Sequence, residues 1–191
     1  MNVHKRLALT TAAAALGAGL AGTAPAQAEQ PSLATQAAAA SSPTVELTND
    51  LALVPARAGY NYIVNRHSGK CLTVDGYRSS NGAPINQYTC VGQQNQQWRA
   101  STQNTGFQLQ ARHSGRCMSV KGGSKKKGAP VIQWTCNGAL DQTFIGVRDT
   151  LIPQNSRLCL AIKGGSTANR APLIQWRCNG ATDQNFKPRR A

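Results

Sequence analysis

The sequence predicts an all-β domain made of three copies of one short unit, packed about a pseudo-threefold axis. Three observations carry that prediction. The six cysteines fall in pairs (Cys71 and Cys90, Cys117 and Cys136, Cys159 and Cys178), and each pair is 19 positions apart. The text around the pairs recurs as well. Arg66-His67-Ser68-Gly69-Lys70-Cys71-Leu72-Thr73-Val74 matches Arg112-His113-Ser114-Gly115-Arg116-Cys117-Met118-Ser119-Val120, with a weaker third copy from Asn155 to Ile162. Finally, no stretch beyond the N-terminal apolar run keeps a helical stripe. Short runs of β-branched and aromatic residues alternate instead with Gly, Pro, Asn and Ser turns. A unit of about 42–46 residues cannot bury its own apolar face, so three must share one core.

Taken in chain order, the first element is a leader. His4, Lys5 and Arg6 precede an uncharged run from Leu7 to Ala26, and Ala26-Gln27-Ala28 offers small residues at both positions a signal peptidase reads. Residues 1–28 therefore read as a secretory signal, with a membrane anchor as the weaker alternative because the run is only weakly apolar. No further apolar run is long enough to span, so no integral membrane span is expected in the mature protein. Residues 29–58 read as a low-complexity linker or pro-segment around Gln36 to Pro43, with one strand's worth of loose alternation from Thr44 to Val54. All ten aromatics and all six cysteines lie at or beyond Tyr60, which places the folded domain at 59–191.

Its repeats cover about 60–100, 107–146 and 150–188. In each, the second half is the better copied. Gly82-Ala83-Pro84-Ile85-Asn86-Gln87-Tyr88-Thr89-Cys90 matches Gly128 to Cys136 and Arg170 to Cys178. Eight positions beyond each second cysteine stands Trp98, Phe144 or Phe186, with Gln96, Gln142 or Gln184 two residues before it. Those rings are expected in the core, beside Leu72, Met118 and Leu160 and beside Val74, Val120 and Ile162.

Six cysteines allow 15 pairings. Threefold repetition selects Cys71–Cys90, Cys117–Cys136 and Cys159–Cys178, and an exported chain favours disulfides over zinc because no Cys-x-x-Cys or neighbouring His cluster exists. No metal site and no cofactor are expected. An enzyme is also disfavoured. His67 and His113 are equivalent turn positions in successive repeats, Asp141 and Asp183 are likewise symmetry mates, and Ser68 and Ser114 sit in turns without a supported base. Oxidised cysteines leave no thiol nucleophile.

Gln96-Gln97-Trp98, Gln142-Thr143-Phe144 and Gln184-Asn185-Phe186, each following a cysteine pair of this spacing, resemble the ricin B-type lectin family. The resemblance covers 60 to about 188. It implies a β-trefoil, with twelve strands forming a six-stranded barrel and a hairpin-triplet cap, and a non-catalytic protein that binds galactose-type or other sugars. The family's sugar-binding Asp stands two residues after the first cysteine, where this chain has Thr73, Ser119 and Ala161. The family's Gln, four before the second cysteine, is replaced by Asn86, Ile132 and Ile174. The stacking ring two before that cysteine is kept as Tyr88, Trp134 and Trp176. The Asn preceding the Gln-x-Trp element is kept as Asn95, and Asp141 and Asp183 replace it elsewhere. The carbohydrate-binding candidates are therefore Tyr88, Asn86, Asn95, Asp75, Trp134, Asp141, Trp176 and Asp183, with Asp75 a substitute carboxylate for the missing one. The alternative is a structural or protein-interaction trefoil whose sugar pockets have degenerated.

Charge bears on the ligand. The chain has 21 Lys and Arg against seven Asp and Glu, for a net +14. Lys125-Lys126-Lys127 lies in a loop that borders a sugar pocket in the resembled fold. Lys121 and Lys163 match Asp75 in the other repeats. These five lysines are the candidate contacts for an anionic glycan or cell-wall polysaccharide. Basic charge with aromatics also suits single-stranded nucleic acid, but the repeat already explains the aromatic positions, so that partner is disfavoured.

Overall fold

The computed structural model describes residues 59–191, so the expected signal at 1–28 and linker at 29–58 lie outside the described residues. Twelve strands follow one another. The first repeat contributes β1 (Asn61–Asn65), β2 (Cys71–Val74), β3 (Ile85–Tyr88) and β4 (Gln97–Gln103). The second contributes β5 (Gly106–Ala111), β6 (Cys117–Val120), β7 (Val131–Trp134) and β8 (Phe144–Val147). From the third come β9 (Thr150–Pro153), β10 (Cys159–Ile162), β11 (Leu173–Trp176) and β12 (Phe186–Arg190). The only helical pieces among the described residues are single 3-10 turns.

The strands divide into a barrel and a cap. β12, β1, β4, β5, β8 and β9 pair antiparallel in that order. The ring closes where the Phe186 amide donates to the Asp149 carbonyl at 2.6 Å. Three hairpins, β2–β3, β6–β7 and β10–β11, form the cap in the same register, with Leu72 opposite Gln87, Met118 opposite Gln133 and Leu160 opposite Gln175. This is the β-trefoil. Short strands form here because β-branched and apolar residues are bracketed by turn residues, and each alone is too small to be stable. Trp98, Phe144 and Phe186 are fully buried with Leu72, Met118 and Leu160. The disulfides are Cys71–Cys90, Cys117–Cys136 and Cys159–Cys178, one inside each repeat.

What fastens the repeats to one another is a ring of three buried glutamines. Gln133 Nε2 donates to the Arg78 and Ser80 carbonyls at 2.7 and 2.9 Å, and its Oε1 accepts from Ser114. Gln175 Nε2 reaches the Ser124 and Lys126 carbonyls, and Gln87 Nε2 reaches those of Ser166 and Ala168. Backbone bonds reinforce each joint: Gly82 with Gln133, Gly128 with Gln175, and Arg170 with Gln87. Each long hairpin loop is thereby tied to the second strand of the next hairpin around the axis, and satisfied polar groups of this kind fix one arrangement of the cap.

Candidate functional site

Strand β2 ends at Val74, and Asp75 opens a 3-10 turn that folds the chain over β3. Across the hairpin Asn86 faces Thr73, and Tyr88 faces Cys71. Asn95 arrives from the turn Gln94–Gln96, held by its side-chain amide, which donates to the Val74 carbonyl at 2.8 Å. These residues enclose a cavity of about 380 Å³ lined by Thr73, Asp75, Tyr77, Asn86, Tyr88, Asn95 and Arg170 among others.

The polar groups of this cavity are unevenly used. Thr73, at the family's Asp position, is spent: its hydroxyl donates to the Cys71 carbonyl and accepts from Gln96 Nε2. Asn86 Nδ2 donates to Asp75 Oδ1 at 2.9 Å, and Arg78 pairs with Asp75 Oδ2 at 2.7 Å. Those donors fix which way both amides point. Asn86 Oδ1 and Asn95 Oδ1 are then left without a partner, although the residues are only 5% and 4% exposed. A buried acceptor left unpaired costs about 1–3 kcal/mol, and both residues that carry one line the same cavity as Tyr88.

The other repeats differ. In the third, Trp176 (39% exposed) stands over a cavity of about 450 Å³ lined by Ala161, Lys163, Ile174, Asp183 and Gly128. Its floor is apolar where the first repeat has Thr73 and Asn86. In the second, Trp134 is 42% exposed, and Asp141 Oδ2 accepts from Ser119 at 2.6 Å. Of the sequence-predicted residues, Asp75, Asn86, Tyr88 and Asn95 meet in one cavity and Trp176 and Asp183 in another. Asp141 pairs within its own repeat.

Lys121 and Lys163 open the 3-10 turns that match the one at Asp75, and both are exposed. The exposed Lys125, Lys126 and Lys127 precede Gly128, which lies against the Trp176 ring. Their loop is bonded to Gln175, so it borders the third repeat's cavity across the repeat boundary. His67 and His113 bind different loops, through Thr182 Oγ1 and the Arg78 carbonyl. The Ser68 and Ser114 hydroxyls serve Gln87 and Gln133.

Sequence reasoning missed Tyr77 and Arg170. Both line the first cavity, and both stand where the other repeats have glycine (Gly123 and Gly165 for Tyr77, Gly82 and Gly128 for Arg170). That break in the glycine pattern was the available signal.

A family model for the ricin-type beta-trefoil lectin domain-like group matches residues 51–134. No curated protein matches the chain in sequence. Among solved structures, the chain is similar to ThreeFoil, a designed threefold-symmetric protein: identity is 34% and TM-score 0.67, covering 70% of this chain and 100% of that one. It is also similar to an exo-beta-1,3-galactanase from Clostridium thermocellum (29% identity, TM-score 0.67), covering 72% of this chain but only 31% of the galactanase. A Macrolepiota procera ricin B-like lectin in complex with lactose shares the fold at 16% identity and TM-score 0.62, over 72% of this chain and 100% of that one.

Proposed function

The chain belongs to the ricin-type β-trefoil lectin domain-like family, and from that premise we propose an exported, non-catalytic carbohydrate-binding protein whose principal pocket is in the first repeat. One observation carries the reading: Asn86 and Asn95, each with a buried and unpaired side-chain oxygen, line the same cavity as Tyr88. A sugar supplies what they lack. Its hydroxyls donate to the two amide oxygens and to the Asp75 carboxylate, a charged and therefore stronger acceptor. Its apolar face lies on Tyr88. Trp134 and Trp176 act as secondary platforms, whose weak contacts add on a polymer by raising effective concentration. The described residues carry 18 basic and four acidic side chains, which favours anionic glycans such as acidic cell-wall polysaccharide, with Lys121, Lys125, Lys126, Lys127 and Lys163 contributing to the field.

Titration calorimetry with neutral and acidic galacto-oligosaccharides tests this. Tyr88→Ala is expected to weaken oligosaccharide binding at least about tenfold. Trp176→Ala is expected to lower polymer avidity while leaving short ligands nearly unaffected. Binding that ignores Tyr88, or no binding to any glycan, would overturn the reading and favour the protein-interaction alternative, for which the apolar floor at Ala161 and Ile174 is the supporting feature.

A further inference from the structure

We propose that the first pocket selects a sugar carrying one acidic group, and that Arg170, delivered from the third repeat, is the residue that selects it. The inference rests on reading that pocket as a carbohydrate site and names the class of sugar it takes.

Position comes first. The Arg170 amide donates to the Gln87 carbonyl at 2.7 Å, and the Gln87 amide donates to the Ala171 carbonyl at 3.0 Å. This joint locks Arg170 across from Gln87, between Asn86 and Tyr88 in sequence, and Arg170 lines their cavity. The backbone there is left-handed, with φ of 64° at Arg170 against 85° and 82° at its counterparts Gly82 and Gly128. Glycine takes that conformation freely, and arginine does not. Tyr77, with φ of 56°, lines the same cavity where the other repeats have Gly123 and Gly165. Strain alone does not mark a site, since Arg157 has φ of 59° in a turn that lines neither this cavity nor the third repeat's. Two residues in a left-handed backbone conformation that line one cavity, together with two residues whose buried side-chain oxygens are unpaired, are a convergence of another kind.

Charge then defines the ligand. Asp75 is the one carboxylate lining the cavity, and Arg78 pairs with it. Arg170 has no ion-pair partner among the described residues. The cavity therefore offers acceptors for hydroxyls, a ring for an apolar face and one uncompensated guanidinium. A uronate or a sulfated hexose carries the complement of all three. The planar fork of Arg suits the two oxygens of either anion.

The test uses the whole chain and three probes: a neutral galacto-oligosaccharide, an oligogalacturonate and a sulfated galacto-oligosaccharide, titrated at physiological salt. Arg170→Gly installs the residue of the other two repeats and relieves the backbone, so its melting temperature should not fall. Arg157→Gly removes the same charge from the same conformation elsewhere and is the control. The wild type should prefer an acidic probe over the neutral one. Arg170→Gly should lose about tenfold more affinity for the acidic probe than for the neutral one, while Arg157→Gly keeps the preference. Loss confined to oligogalacturonate assigns a carboxylate, and loss confined to the sulfated probe assigns a sulfate. Equal effects of the two variants overturn the inference alone, and a wild type that binds neutral sugar without acidic preference overturns it together with the anionic preference while leaving the carbohydrate reading. A wild type that binds none of the probes overturns the carbohydrate reading as well.

Discussion

Gln87, Gln133 and Gln175 each satisfy two carbonyls and one serine hydroxyl. Replacing Gln133 by Leu keeps the volume and removes all three bonds, leaving the Arg78 carbonyl only its contact with His113. With a net loss of about 0.5–1.5 kcal/mol for each hydrogen bond removed, Gln133→Leu should lower the unfolding free energy by about 1–3 kcal/mol in a urea titration. An unchanged midpoint would show that water replaces the amide and that the ring is dispensable. The repetition of this glutamine was legible in the sequence, but its role was not. Its partners lie 53 and 55 residues away for Gln133 and 79 and 81 for Gln87, in another repeat. Asn86, Asn95 and Tyr88 could be placed because all three, with the strands that carry them, lie within one repeat. Tyr77 and Arg170 escape a reading by repetition, because each is the exception at a position that is glycine in the other two repeats.

The hairpins and their disulfides are the most legible elements, since turn residues bound each strand and the cysteine spacing is constant. Each bridge closes a loop with a sequence separation of 19, worth about 3 kcal/mol in the chain-entropy model. Removing Cys117 and Cys136 together as alanines should cost about that much in denaturant midpoints. A much smaller loss would mean that the glutamine ring already constrains the hairpin. The first residue of β5 makes a stricter demand. A Cβ on Gly106 would press on the Phe144 carbonyl, which is backbone and cannot swing aside. Gly106→Ala should therefore destabilise the barrel by about 1–3 kcal/mol, read as a lower melting temperature. The sequence did not flag this glycine, because the crowding arises from β8, which approaches only after the barrel closes.

At the scale of the molecule, the three copies share a frame and differ in what they line. The apolar third cavity lies beside the Lys125–Lys127 loop of the second repeat, and the polar first cavity borrows Arg170 from the third. Each of these two pockets is thus shared between neighbouring repeats, a property that the text of any one copy does not contain. The net charge predicts a further behaviour. The Debye length shrinks from about 10 Å at 0.1 M salt to about 3 Å at 1 M, so affinity for an acidic polysaccharide should fall steeply across that range while neutral oligosaccharide binding holds. Equal salt dependence for both would remove charge from the recognition.

The most direct measurement is an NMR titration that follows the side-chain amides of Asn86 and Asn95 as an acidic galacto-oligosaccharide is added. Both amides are predicted to shift and saturate together, as sugar hydroxyls donate to the two unpaired oxygens. Side-chain amides that stay still while the Trp134 or Trp176 indole signals move, or a spectrum that does not change at all, would contradict a first-repeat sugar pocket.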